Sequence, residues 1–327
     1  MALSTISDRG IPHLYWRCTH RPNGDCNQKK KSVRDSSMFS GLKSDLHKVL
    51  AVMWLFLHDV KLGSMQIMTR LSSGTIREIL KLVYRLMNAD IKDEDVSIGG
   101  VDENGKPIVV EVDESKFGKR KNHKGHPVEG VWVVGGVERT PERKVFLTTV
   151  EDRKKDTLHL ILSTWIKPGS EIRTDCWKGY CGLSTVPNKQ YIHKTVNHAK
   201  EFKTVDGVHT NTIEGTWNGI KQRIRARHRT RSAMKYRLAE FIWRRKNADD
   251  LWGGMVNALR KVSFSKLDGD EIDEEFVYTE VKRARDDLDH DDEEFEGARL
   301  EEELEGSDSS DDYQPLNNSR RKRQRTQ

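Results

Sequence analysis

The sequence predicts an α/β protein: a mixed sheet with flanking helices, preceded by a helical region and followed by an acidic tail. Three observations carry that expectation. Between about residues 107 and 196, β-branched runs punctuated by Gly and Pro alternate with helical patterns. Apolar residues recur at helical spacing on both sides of that stretch. Charge is segregated: residues 268–312 hold 22 Asp+Glu against 4 Lys+Arg, and residues 313–327 add five basic residues. Residues 1–267 therefore carry +19 within a total of +6.

Residues 1–35 read as an irregular basic segment, with Cys18 and Cys26 flanking a Pro-Asn-Gly turn. Residues 36–90 read as a helix-turn-helix-like region. Ser44 can cap a helix whose Leu46, Val49, Leu50, Met53, Trp54 and Leu57 share a face. A short helical piece spans Met65 to Leu71, Ser72-Ser73-Gly74 makes a turn, and a second helix starts near Thr75. That helix carries Ile76, Ile79, Leu80, Val83, Leu86 and Met87 on one stripe. Short helix, Gly-containing turn and longer helix are the outline of a DNA reader, and equally of a plain hairpin that supports something else. Arg77 lies off the stripe at the start of the second helix, where a side chain reaches base edges.

Residues 91–106 read as a polar linker with Gly99-Gly100 and Asn104-Gly105. Strands are expected at Pro107–Asp113, Gly130–Val137 and Lys144–Val150. A helix opening at Asp156 ends before Pro168-Gly169. A fourth strand covers Glu171–Asp175 and a fifth runs from near Tyr191 to Val196. A basic amphipathic helix begins near Asn211, and another covers about Ser232 to Trp243. Three sequential strands form an antiparallel meander, and a strand after a helical crossover joins in parallel. This is the order of a ribonuclease-H-like mixed sheet, assigned to residues 107–250. A helical extension at 251–267 and an acidic disordered tail at 268–327 complete the chain.

A basic body calls for a polyanionic partner, here double-stranded DNA, although a merely solvated basic surface has the same composition. The tail can fold back on the body as a competitor for DNA. Its closing cluster, Arg320-Arg321-Lys322-Arg323-Gln324-Arg325, reads as a nuclear localisation signal. No apolar run nears the roughly 20 residues of a membrane span, so no membrane partner is expected. The first residues lack the apolar core of a secretory signal. Four cysteines make no disulfide framework and suit a reducing compartment. Cys176 and Cys181 read as buried thiols.

Three acids stand where the expected fold brings chain ends together. Asp113 ends the first strand, Asp175 ends the fourth, and Glu214 lies in the first turn of the helix after the fifth. The first and fourth strands would be neighbours, and the helix crosses the sheet to the same edge. Each acid alone is equally a turn or capping residue. Together they would repel one another unless a hard divalent cation, Mg or alternatively Mn, sat among their oxygens.

The same residues carry a family resemblance. Val112-Asp113-Glu114-Ser115-Lys116-Phe117-Gly118, Arg173-Thr174-Asp175-Cys176-Trp177-Lys178-Gly179-Tyr180 and His209-Thr210-Asn211-Thr212-Ile213-Glu214-Gly215-Thr216-Trp217 resemble the catalytic blocks of Merlin-type DDE transposases and related bacterial insertion-sequence transposases. The resemblance covers roughly residues 14–250. It implies a ribonuclease-H-like core, Mg-dependent cleavage of transposon ends and strand transfer into target DNA, with a homo-oligomer in the DNA complex. Carried over by position, Asp113, Asp175 and Glu214 are the catalytic and metal-binding triad. Val196-Asn197-His198 and His209-Thr210-Asn211 resemble the run-up to the last acid, with capping as the alternative role. The family's N-terminal zinc ribbon has only its second half here, Trp16-Arg17-Cys18 and Cys26, as a remnant; zinc is not an expected cofactor.

Two basic sets would border the acids and neutralise DNA phosphates. Lys116, Lys119, Arg120, Lys121 and Lys124 follow the first strand. Lys221, Arg223, Arg225, Arg227, Arg229 and Arg231 follow Glu214. Trp177 can stack on a frayed base or belong to the core. The leading functional reading is a transposase. A domesticated DNA-binding protein without transposition activity and a structure-specific nuclease are the rivals.

Overall fold

The computed structural model describes residues 2–8, 11–17, 30–118, 130–196, 210–225, 228–262 and 264. Cys18, Cys26, Lys119, Arg120, Lys121, Lys124, His198, His209, Arg227, the acidic tail and the terminal basic cluster lie outside the described residues.

The N-terminal segment is not irregular. Strands β1 (Ala2–Asp8), β2 (Ile11–Arg17) and β3 (Lys30–Ser32) form an antiparallel sheet, with Ala2 opposite Arg17 and Asp8 opposite Ile11. The Leu14-Tyr15-Trp16 run supplies the β-forming side chains. The surrounding basic residues masked this signal in the sequence.

Five helices form a bundle: α1 (Leu46–Leu57), α2 (Leu62–Thr69), α3 (Ser73–Asp90), α7 (Arg231–Lys246) and α8 (Leu251–Lys261). Ser72 is the N-cap of α3, its hydroxyl accepting from the Thr75 N–H at 3.1 Å. Ser73 and Gly74 therefore belong to the helix and not to a preceding turn. Arg70 ends α2 in the left-handed conformation, at φ 55°. The outline of short helix, turn and longer helix is present, but α3 is not laid out as a reading helix. It packs against α1, α2, α7 and α8. Of its 18 residues only Gly74, Glu78 and Ala89 are exposed. Arg77 is 8% exposed, which corrects its assignment to base edges. A helix in the middle of a bundle is covered beyond its apolar stripe, so a position off the stripe still lies inside.

The expected linker is also structured. It holds α4 (Asp93–Val96) and β4 (Ile98–Gly99), and β4 pairs in parallel with β8 (Ile166–Lys167). Val96 and Ile98 are buried in the main core, so this stretch is part of the α/β layer.

The main sheet contains β5 (Val109–Phe117), β6 (Val131–Glu138), β7 (Val145–Val150), β9 (Glu171–Asp175) and β10 (Ile192–Val196). Its order is β10-β9-β5-β6-β7. β5–β6 and β6–β7 are antiparallel, whereas β5–β9 and β9–β10 are parallel. The mixed α/β architecture and the adjacency of the first and fourth strands of this sheet follow the expectation. β5 runs four residues beyond Asp113, because Glu114–Phe117 continue to pair with Val131–Val134. Asp113 is thus inside a strand and not at its end.

Helix α5 (Lys155–Trp165) contributes Leu158 and Leu162 to the sheet's core. Helix α6 (Asn211–Arg223) contributes Ile213, Trp217 and Ile220. Each such side chain is worth roughly 1.5–3 kcal/mol of burial. Helix α7 serves both layers. Met234, Leu238 and Ile242 join the sheet's core. Trp243 Nε1 donates to Asp90 Oδ2 at 3.0 Å, and Arg244 donates to the carbonyls of Leu57 at 2.8 Å and Phe56 at 2.9 Å. Among the described residues, no helix is long and apolar enough to cross a membrane.

Candidate active site

Alternation along β5 sends Glu111 and Asp113 to the α6 face and Glu114 to the other. The β5–β9 register pairs Glu111 with Arg173. Two residues further along each strand stand Asp113 and Asp175, on the same face. Glu214 is exposed on the first turn of α6. Burial pushes the Asp113 carboxyl upward, and the negative charges of Asp175 and, more weakly, Glu214 add to it. The Trp217 indole opposes this shift by donating to Asp113 Oδ2 at 3.0 Å. Asp175 Oδ1 accepts the N–H of Trp177 at 2.9 Å, which turns the chain out of β9.

Two features hold α6 against this edge. Gly135 lies opposite Asp113 on β6. A Cβ on Gly135 would stand 2.7 Å from the Trp217 ring, so glycine there is what lets the indole reach Asp113. The second feature is Glu111, which is fully buried. Its carboxylate accepts the N–H groups of Thr212 at 2.8 Å and Ile213 at 3.0 Å, and the Thr212 hydroxyl at 3.0 Å. Arg139 stands 3.4 Å from it. The first N–H groups of a helix lack intrahelical partners, and a carboxylate both satisfies them and complements the helix dipole. Sequence reasoning missed Glu111; a Glu at the centre of an apolar strand, in phase with Asp113, was the available signal.

Glu114, next to Asp113 in the sequence, is a second acid that periodicity leaves unmarked. Burial pushes its carboxyl up to about 7, despite the nearby Tyr180 hydroxyl. The negative charges of Asp113 and Asp175 add to the rise, and the Arg153 guanidinium opposes it. Burial also holds the Tyr180 hydroxyl well above its usual range.

The basic residues divide. Lys221 and Arg225 are exposed. Arg223 instead makes a two-pronged pair with Asp59, at 2.8 and 3.1 Å, and reaches Glu240 at 3.4 Å. Arg229 closes the C-terminus of α6 through the carbonyls of Ile224 at 2.8 Å and Lys221 at 2.7 Å, and Arg231 pairs with Glu151. These three cations, expected at DNA phosphates, are engaged by the helix end and by carboxylates of the protein. Cys176 and Cys181 are exposed, not buried.

The donors at the edge are oxygens only, and their mutual repulsion is the electrostatic condition that a hard divalent cation relieves. Asp113, Asp175 and Glu214 therefore suit Mg or Mn in donor kind. Among the described residues no three His, Cys, Asp or Glu side chains stand close enough to hold one ion together.

None of the curated proteins matches the chain. Residues 98–246, just under half of the chain, match the family model of the ISXO2-like transposase domain. The match begins at β4 and ends in α7, and it supports a DDE-type insertion-sequence transposase family for this stretch of the protein.

Proposed function

We propose that the chain is a DNA transposase whose α/β layer is a ribonuclease-H-like DDE domain of the Merlin type. What supports the reading is the match of residues 98–246 to an ISXO2-like transposase domain, together with Asp113 on β5, whose carboxyl burial pushes upward and the negative charges of Asp175 on β9 and Glu214 on α6 push further. Asp113, Asp175 and Glu214 would hold divalent metal. When bound, Mg or Mn supplies Lewis-acid activation of a water or 3′-hydroxyl nucleophile and charge stabilisation for the leaving oxygen of an in-line displacement. The chain's own residues do the rest. Trp217 orients Asp113, Glu111 fixes the start of α6 and with it Glu214, and the Trp177 N–H orients Asp175. Lys221 and Arg225 carry exposed positive charge near the end of α6 for DNA phosphates. The proposal includes duplex DNA as partner, at transposon ends and target, a homo-oligomer in that complex, and a nuclear location through Arg320–Arg325.

Asp113→Asn, Asp175→Asn and Glu214→Gln should each abolish Mg-dependent nicking of supercoiled plasmid while leaving DNA binding equal or tighter, since each removes a ligand and a negative charge. Wild-type-like nicking by any one of them removes that residue from the triad.

A further inference from the structure

Beside Asp175 stands a stack of alternating cations and indoles. Lys116 Nζ lies 5.6 Å from the ring centroid of Trp132. The Arg153 guanidinium lies 3.8 Å from that of Trp132 and 4.6 Å from that of Trp177. Trp177 is fixed twice, through its backbone N–H on Asp175 Oδ1 and through its indole Nε1 on the Arg153 carbonyl at 3.3 Å. It is nevertheless 41% exposed. Among the described residues the Arg153 guanidinium is in no ion pair; its charge rests against two rings and acts on Glu114.

A lone exposed aromatic is ordinary. This one is held in place two residues from an acid of the candidate site, with a cation behind it. A pinned ring presents a stacking surface without an ordering cost at binding. Arginine adds stacking together with a charge suited to phosphate. Bases inside a duplex already have both faces covered, so the ligand that fits is a base freed from pairing.

We propose that Trp177, backed by Arg153 and Trp132, is a subsite for an unpaired DNA base adjoining the phosphate at the Asp113–Asp175 edge. It rests on the transposase reading for its location and adds what that reading lacks, a preference for DNA already frayed or opened beside the cut.

The test compares Trp177→Leu with Trp177→Phe in the full chain, both of which fill the position with an apolar side chain, while only phenylalanine keeps a π face. Binding of a fluorescein-labelled oligothymidine strand and of a blunt duplex is followed by anisotropy in EDTA. Trp177→Leu should bind the strand about tenfold more weakly and the duplex nearly unchanged, and Trp177→Phe should retain most of the strand affinity. Arg153→Gln should weaken strand binding and flatten its salt dependence. Equal behaviour of the Leu and Phe variants, or equal losses on strand and duplex, overturns the subsite. Mg-dependent nicking by the unchanged protein and its loss in Asp113→Asn test the chemistry separately. Strand selectivity without nicking supports the subsite and refutes the chemistry; nicking without a Leu–Phe difference refutes the subsite alone.

Discussion

Asp113 and Glu114 are neighbours that the pleat of β5 sends to opposite faces, and burial pushes both carboxyls upward. The effect on stability follows from Glu114, raised from 4.5 to about 7. Below about pH 4.5 the group is protonated in folded and unfolded chains alike. Between there and about 7 the unfolded chain gives up a proton that the folded protein keeps. Stability therefore falls as pH rises through this window, by up to about 3 kcal/mol. Glu114→Gln removes that slope. Urea unfolding in a chelating buffer at pH 5 and pH 8 should show the unchanged protein losing stability relative to the variant; parallel behaviour would argue against a raised carboxyl. At this scale the sequence made Asp113, Asp175 and Glu214 visible, because strand and helix patterns locate acids along the chain. Glu114 and Arg77 were opaque for a common reason. Their properties come from what covers them, and periodicity records only which side of an element is apolar.

Helix α6 is attached to the sheet at two points of different chemistry, the Trp217 ring over Gly135 and the Glu111 carboxylate at its first N–H groups. The second should govern how sharply Glu214 is placed. Glu111→Gln leaves the shape but replaces a buried charged acceptor, at a cost of about 3 kcal/mol. Amide exchange should accelerate at Thr212 and Ile213 more than at Ile220, about two turns further along the same helix. Uniform exchange along α6 would show that its apolar face alone holds it. The strands of the main sheet were legible to within about two residues at most ends because β-branched runs and Gly/Pro breaks bound them. The polar half of β5, Glu114 to Phe117, was not, since its pairing with β6 compensates for a weak local preference. The N-terminal sheet was hidden in the same way by its charged surroundings.

Across the whole chain, charge is the dominant organising property. Residues 1–267 carry +19 and residues 268–312 carry −18, so the acidic segment has the same sign of charge as the proposed DNA partner, and competition between the two for the basic body is a proposal that binding can test. Deleting residues 268–312 should tighten non-specific DNA binding at low salt, with the gain shrinking as salt rises. Anisotropy titrations over a range of ionic strength measure this, and unchanged affinity throughout would remove the competition. The segregation of charge was plain in the sequence, whereas the joining of the N-terminal helices to the α/β layer was not, because it depends on contacts between residues far apart in the chain. Arg244 grips the last carbonyls of α1, and Trp243 reaches Asp90 at the end of α3.

That grip means the α/β layer is an insertion within a helical frame. Residues 46–90 and 231–261 close on each other around the sheet's sequence, and α7 lends side chains to both. The stretch recognisable by similarity, 98–246, therefore leaves out residues against which its own α7 packs. Cut there, α7 would lose its partners Tyr84, Asp90 and the α1 carbonyls and present a bare face to water. Frame and insert are thus one packing unit joined through α7, although the groups that orient the acids, Glu111, Gly135 and Trp217, all belong to the insert.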